Sequence, residues 1–203
     1  MEAELAGEAG AKRAPRLAER LADAAGAYER SRFDDARRML RGLAEEAPRA
    51  AAVRELYGLT LYRLGRWLPA SKELEAYRLL TGAVDQHPAL ADCYRALGRW
   101  KKVADLWEEL REASPSAELV AEGRIVAAGA LADKGDTRGG IALLEAGRIE
   151  VARPKDHHLR MQYALADLYE RAGDVPRARE LFRRVQARDP EFFDITDRIK
   201  ALA

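Results

Sequence analysis

The sequence predicts an all-α protein in which an antiparallel pair of helices repeats along the chain. The clearest pair lies at residues 159–191, where apolar residues recur at helical spacing on both sides of a short break at residues 172–174. Gly173 suits the left-handed backbone that ends a helix, and Pro176 suits the first turn of the helix that follows. The same arrangement recurs upstream every 33 to 38 residues, and no stretch is interpreted as a strand.

Two positions on the second helix of each pair carry the recurrence: a small residue and, four residues later, a bulky apolar one. The small residues are Ala36, Ala70, Val103, Gly140 and Ala178, and the bulky residues are Leu40, Leu74, Trp107, Leu144 and Phe182. The turn residues before these helices are Ser31, Gly65, Gly98, Gly135 and Gly173. A small residue lets the two helices of a pair approach closely, so the pattern predicts tightly packed pairs.

This period and pattern resemble the tetratricopeptide repeat. The match is best in the fifth repeat, which has Leu165, Ala166 and Tyr169 on its first helix and Ala178 and Phe182 on its second. Five repeats are predicted, at residues 17–50, 51–83, 84–117, 121–154 and 159–192. The resemblance implies one right-handed superhelical solenoid of antiparallel helix pairs over residues 17–203, in which each repeat packs against its neighbours.

The two ends of the chain are expected to differ from the repeats. Residues 1–16 are mostly Ala, Gly and Glu without an apolar stripe, which predicts a disordered tail. Residues 193–203 predict a helix that caps the last repeat. Its inward residues are expected to be Ile195, Ile199 and Leu202. Its solvent-facing residues are expected to be Asp194, Asp197 and Arg198.

The fourth repeat matches the pattern least well. It keeps Leu131 and Leu144 but places Gly140 at the contact between its helices, and it holds further glycines in helical stretches. Because a glycine inside a helix costs about 1 kcal/mol relative to alanine, we expect this repeat to be the least stable.

Composition and charge favour a cytoplasmic protein. No apolar run is long enough to span a bilayer, the start lacks the apolar core of a secretion signal, and one cysteine leaves no internal disulfide framework. With a net charge of +1, no overall field draws the chain to nucleic acid or to a membrane. Abundant Ala, Arg, Asp and Glu without Asn is typical of a GC-rich bacterial genome, such as that of an actinobacterium.

The sequence offers no catalytic, cofactor-binding or metal-binding constellation, so we expect no enzymatic activity and no cofactor. His157 and His158 are adjacent, and adjacent side chains on a helix are expected to point apart, which favours a polar joint over a metal site. Cys93 lies beside Tyr94 on a core-facing stretch and is expected to be a small buried hydrophobe. Trp100, in the basic stretch at residues 99–102, is expected to pack between helices instead of binding nucleic acid.

The resemblance implies that the first helix of each repeat, the inner helix, lines a concave groove where a partner would bind. Candidate residues one position beyond the core tyrosine slot are Tyr28, Tyr62, Arg95, Ala132 and Glu170. The earlier turns of the same helices add Leu59, Asp92, Asp167, Glu55 and Tyr163.

Because Tyr and Arg are frequent anchors of protein interfaces, Tyr28, Tyr62 and Arg95 are predicted to form a ladder that holds the partner. Asp92, three residues before Arg95, is expected to hold that arginine in place. The alternative is that Tyr28 and Tyr62 only pack against the next repeat.

These observations predict a non-catalytic scaffold that binds a peptide or helix of another protein in the groove. A chaperone-tail adaptor is disfavoured, because the Lys and Asn clamp linked to that role in the family has no counterpart. The sequence lacks Asn and places only Lys134 near an inner helix. Two alternatives stay open: structural self-association of the chain as a homo-oligomer, and accessory regulation of an enzyme or a nucleic-acid machine.

Overall fold

The computed structural model describes residues 7, 8, 10 and 12–202, and these residues form eleven α-helices and no strand. The helices are α1 (Ala14–Glu29), α2 (Phe33–Glu46), α3 (Ala51–Arg63), α4 (Trp67–Thr81), α5 (His87–Ala96), α6 (Trp100–Ala113), α7 (Ala117–Asp133), α8 (Thr137–Glu145), α9 (Asp156–Arg171), α10 (Val175–Arg188) and α11 (Ile195–Ala201). In chain order, α1 to α10 are the alternating first and second helices of the five predicted repeats, which confirms the all-α repeat fold. Among these described helices, none is long and apolar enough to cross a membrane.

The chain forms two compact units, Met1–Leu97 and Gly98–Ala203, named unit 1 and unit 2 below. In unit 1, α2 packs on α1 and α3, and α4 packs on α3 and α5. Helix α3 also contacts α1 and α5. In unit 2, α7 packs on α6, α8 and α9, while α9 also packs on α8 and α10, and α10 packs on α11. The inner helices α1, α3 and α5 therefore contact one another in sequence within unit 1, as α7 and α9 do within unit 2.

The turn between the helices of a pair depends on a left-handed residue. At Gly173, between α9 and α10, φ is +81°, which glycine adopts without a steric penalty. Ser31 takes the same place between α1 and α2 with a φ of +58°, a conformation that is uncommon for a residue with a Cβ. The carboxylate of Asp174 then accepts a hydrogen bond from the N–H of Arg177 at 3.2 Å and caps α10. The predicted break at residues 172–174 is confirmed.

The small residues between paired helices are buried as predicted, with Ala36, Ala70 and Ala178 fully inaccessible to solvent. Gly140 shows why the fourth repeat departs from alanine at this position. A Cβ on residue 140 would lie 2.6 Å from the carbonyl oxygen of Ala128, which is closer than real Cβ contacts allow. The close approach of α7 and α8 therefore requires glycine, and the low stability expected of this repeat stays a prediction.

The first of the eleven described helices begins at Ala14, three residues before the predicted boundary of the repeat domain. Ala14 is buried in the unit 1 core. Just upstream, the carboxylate of Glu8 accepts a hydrogen bond from the N–H of Arg49 at 3.0 Å. The disorder predicted for the start of the chain falls partly on residues 1–6, 9 and 11, which lie outside the described residues.

The last helix, α11, packs on the end of unit 2. Ile195 and Leu202 are buried there, and Ile199 packs against the same core, so the predicted inward face is confirmed. The fully buried Phe182 of α10 belongs to this core. The apolar contacts of α11 therefore extend the core of the fifth repeat.

Candidate functional site

The predicted groove residues lie on the inner helices of the two units. The unit 1 face consists of Tyr28 on α1, Glu55, Leu59 and Tyr62 on α3, and Asp92 and Arg95 on α5. The unit 2 face consists of Tyr163, Asp167 and Glu170 on α9. All nine side chains are half-buried, so each is held by neighbours and still reaches solvent. Ala132 on α7 is buried and offers little surface.

Asp92 is the centre of a small polar network on the unit 1 face. The hydroxyl of Tyr62 donates a hydrogen bond to one carboxylate oxygen of Asp92 at 2.9 Å. The guanidinium of Arg95 forms an ion pair with the other oxygen at 3.3 Å. The predicted pairing of Asp92 with Arg95 is confirmed, and the bond from Tyr62 joins the second repeat to the third.

The two tyrosines of the unit 1 face also pack against aromatic rings. The ring of Tyr62 meets that of Trp67 edge to face, with 5.6 Å between centroids. Tyr28 packs in the same way on Phe33, at 5.3 Å, and the guanidinium of Arg63 lies 4.6 Å from the Phe33 centroid. The structure thus brings Tyr62 and Arg95 together on Asp92, whereas Tyr28 contacts the second helix of its own repeat.

Glu55 lies in an earlier turn of α3 and contacts the loop before α5. Its carboxylate accepts a hydrogen bond from the side-chain amide of Gln86 at 2.9 Å. Burial raises the pKa of Glu55, the bond from Gln86 opposes this rise, and the charge of Asp85 adds to it. Asp85 in turn accepts a hydrogen bond from Tyr77 at 3.0 Å, and burial helps raise the pKa of Tyr77 to about 12. Sequence reasoning missed Gln86 and Asp85 because they lie in a loop.

On the unit 2 face, Arg198 of α11 binds both predicted carboxylates. Its guanidinium lies 2.8 Å from Asp167 and 2.6 Å from Glu170, and 4.9 Å from the ring centroid of Phe182. Burial opposes the charge of Arg198, but the hydrogen bonds to Glu170 and Asp167 outweigh it and raise its pKa. The expectation that Arg198 faces solvent is wrong: its side chain is 23 % exposed.

A sequence signal for this contact exists. Positions 195, 198 and 202 follow the three- and four-residue spacing of one helix face, so Arg198 shares the inward face with Ile195 and Leu202. Two carboxylates three residues apart on α9 lie on one helix face, where a cation from the next element can reach both.

Tyr163 completes the contact between α9 and the C-terminal segment. Its hydroxyl donates a hydrogen bond to Asp194, and burial together with this bond raises the pKa of Tyr163 to about 12. Its ring also meets the rings of Phe192 and Phe193, with centroids 5.9 Å and 5.5 Å away. All three predicted residues of the unit 2 face are therefore engaged by α11 or by the segment that leads into it.

The repeat register makes the two faces directly comparable. Asp92 lies six residues before the turn glycine Gly98, and Asp167 lies six residues before Gly173. Arg95 and Glu170 both lie three residues before these glycines. The third and fifth repeats thus share an aspartate and differ in the sign of the charge one turn later.

Two other sequence expectations concern histidine and cysteine. The rings of His157 and His158 lie 4.0 Å apart, so the expectation that they point apart is wrong. They meet in the first turn of α9, where the Nδ1 of His158 accepts a hydrogen bond from the N–H of Lys155. Burial and the neighbouring His157 lower the pKa of His158. Cys93 is fully buried, as predicted, and burial raises the pKa of its thiol to about 12.

The chain is similar to known helical repeat proteins. A tetratricopeptide repeat family model matches residues 21–88 and 125–191, about two thirds of the chain. Among solved structures, TTC0263, a thermophilic TPR protein of Thermus thermophilus, has a TM-score of 0.66 at 18% identity, covering 92% of this chain and 98% of that one. The structure of Pseudomonas aeruginosa pilF has a TM-score of 0.61 at 12% identity, covering 94% and 90% of the two chains. Among curated proteins no match was found.

Proposed function

The chain belongs to the tetratricopeptide repeat family, and we propose that it is a non-catalytic scaffold that binds a peptide or helix of another protein. Tetratricopeptide repeats generally mediate protein–protein interaction and are generally non-catalytic. Binding through the inner helices is the finer part of the proposal, and it rests on the residues of this chain.

The observation that carries the proposal is the network of Tyr62, Asp92 and Arg95 on the unit 1 face. Side chains from two repeats meet there at 2.9 Å and 3.3 Å, yet all three stay partly exposed. A site whose groups are already held in place loses less entropy on binding, which favours affinity. Tyrosine and arginine are also the residue types that most often anchor interfaces.

The remaining residues of the unit 1 face extend this surface. Leu59 lies one turn before Tyr62 on α3 and supplies an apolar contact, and Glu55 lies one turn before Leu59. Tyr28 lies on α1, which contacts α3. We propose that the partner segment runs along α3 and inserts a side chain beside the network.

The test uses a partner isolated from the native cell by affinity capture with the full chain and then purified. Calorimetry should show that Tyr62→Ala weakens its binding by about 2 kcal/mol or more, while far-UV circular dichroism shows unchanged helix content. Leu79→Ala is the control, since Leu79 is 73% exposed on the second helix of the same repeat. If Tyr62→Ala lowers the melting temperature and leaves the affinity unchanged, Tyr62 only packs between repeats.

Two further parts of the proposal have separate tests. Light scattering after size exclusion should give a monomer mass, and a stable dimer would instead favour the self-association role.

We also propose that the protein works in the cytoplasm without binding membranes or nucleic acid. The unpaired, fully buried Cys93 supports a compartment that keeps thiols reduced. Fractionation of native cells that placed the protein outside the cytoplasm would contradict this.

A further inference from the structure

The unit 2 face already holds a helix of this chain. Arg198 of α11 reaches Asp167 and Glu170 at 2.8 Å and 2.6 Å, and Ile195 of the same helix is buried in the core of unit 2 with 1% of its surface exposed. Charge and apolar contact therefore act together, as they do when an amphipathic helix binds in a groove. The contact shows which chemistry this face recognises.

The difference between equivalent repeats explains why a cation is needed here. In the third repeat, Asp92 is paired with Arg95 on its own helix. In the fifth repeat, the residue equivalent to Arg95 is Glu170, so α9 presents two carboxylates, Asp167 and Glu170, to α11. A planar guanidinium with several N–H donors suits two carboxylates better than an ammonium does. The unit 2 face is thus built to accept an arginine from another helix.

The helix that contacts this face is short. It spans seven residues, Ile195–Ala201, and isolated helices of that length are unstable in water. Phe193, in the segment that joins it to α10, has a φ of +45° and is 68% exposed. That backbone conformation is costly for a bulky residue and persists only where surrounding contacts hold it. Release of α11 would relieve the strain at Phe193.

We propose that the unit 2 face is a receptor for an arginine-bearing amphipathic helix of a partner protein, and that α11 is the resident helix which the partner displaces. This inference rests on the proposed function and names the partner chemistry for the second unit. The partner helix carries one arginine between apolar residues spaced like Ile195 and Leu202. Its guanidinium replaces that of Arg198 between Asp167 and Glu170.

The experiment uses the full chain and a fluorescein-labelled peptide of residues 189–203 that stands in for the partner helix. In the full-length Arg198→Glu variant, the new carboxylate of α11 is repelled by those of Asp167 and Glu170. The amides of α11 should therefore exchange hydrogen at least tenfold faster than in the wild type. Fluorescence anisotropy should show the peptide binding this variant at least tenfold more tightly than the wild-type chain, whose tethered α11 competes at a high effective concentration. A peptide that itself carries Arg198→Glu should bind at least tenfold more weakly.

Lys200→Glu is the matched control, because Lys200 is exposed on the same helix and pairs with Asp197 of that helix. This variant should behave like the wild type in both measurements. A chain that combines Glu170→Arg with Arg198→Glu should regain slow exchange in α11, because the swapped charges attract again. If Arg198→Glu does not fold, Arg198→Gln removes the charge without repulsion and should show the same changes to a smaller extent.

Three results would overturn the inference. The first is that the peptide binds the wild type and the Arg198→Glu variant with equal affinity. The second is that the amides of α11 exchange hydrogen equally slowly in both chains. The third is that α11 exchanges fast in the variant but the peptide does not bind it. These outcomes are independent of Tyr62→Ala, which tests the proposed function on the unit 1 face. Either face can therefore fail without the other.

Discussion

The third and fifth repeats place an aspartate at the same position of the inner helix and satisfy it in opposite ways. Asp92 pairs with Arg95 of its own helix and accepts a hydrogen bond from Tyr62 of the preceding repeat. Asp167 pairs with Arg198 of α11. Three positions after the aspartate, the third repeat has Arg95, which pairs with Asp92 inside α5. The fifth repeat has Glu170 there, and both of its carboxylates pair with Arg198 of α11.

The difference shows how repeats with the same helix arrangement diverge at their surfaces. The residues that pack between paired helices stay buried in every repeat, although their type changes from Ala36, Ala70 and Ala178 to Val103 and Gly140. Residues on the half-buried faces of the inner helices differ in charge, as Arg95 and Glu170 do at equivalent positions. The charge of these faces therefore differs between repeats, while the residues that contact the paired helix stay buried.

The largest effect should come from giving the fifth repeat the charge pattern of the third. Glu170→Arg replaces one carboxylate at Arg198 with a like charge, which removes a charge-assisted hydrogen bond. We expect a loss of about 1–2 kcal/mol in the stability of the α11 contact, measured by hydrogen exchange of residues 195–202. The charge-matched control Glu191→Arg, at an exposed loop residue, should leave this exchange unchanged. Unchanged exchange in Glu170→Arg would mean that apolar packing alone holds α11.

Removing one tyrosine hydroxyl from each of the two networks should cost less. Tyr62→Phe keeps the ring on Trp67 and removes the bond to Asp92, so we expect a loss of about 1 kcal/mol in urea unfolding. Tyr163→Phe removes the bond to Asp194 and should cost a similar amount, while also speeding exchange in α11. If only one variant is destabilised, the two networks differ in more than the charge of one residue.

Most of the features that the sequence predicts correctly follow from the spacing of residues along one helix. The helix pairs, the turn at Gly173 and the ion pair of Asp92 with Arg95 all follow from spacings of three or four residues. Contacts between side chains of different elements, such as Glu55 with Gln86, escape prediction because their geometry depends on helix packing. The charge of Arg198 alone predicts an outward side chain, whereas its position on the inward face of α11 decides the outcome.

A smaller loss of stability should come from the opposite substitution, which gives the third repeat the charge pattern of the fifth. Arg95→Glu removes an ion pair within α5 and places a second carboxylate three residues from Asp92. Each of these changes is worth a few tenths of a kcal/mol, so we expect a loss of about 0.5–1 kcal/mol in urea unfolding. Raising the salt concentration should reduce this loss, since screening weakens the repulsion. A loss that is insensitive to salt would show that Arg95 acts through packing.

The smallest effect concerns Glu55, whose pKa is raised by burial and by the charge of Asp85, against the bond from Gln86. A carboxyl whose pKa is raised in the folded state takes up its proton at a higher pH in the folded state than in the unfolded state. The free energy of unfolding therefore rises as pH falls. The gain is complete below the pKa of the unfolded state and is lost as pH rises through the pKa of the folded state.

Glu55→Gln stays neutral at every pH and can still accept the hydrogen bond from Gln86. We therefore expect the variant to be more stable than the wild type at pH 7, by up to about 0.5 kcal/mol, with the difference shrinking toward pH 4.5. Urea unfolding of both chains across this range measures it. A difference that stays constant with pH would show that the charge of Glu55 costs nothing on this face.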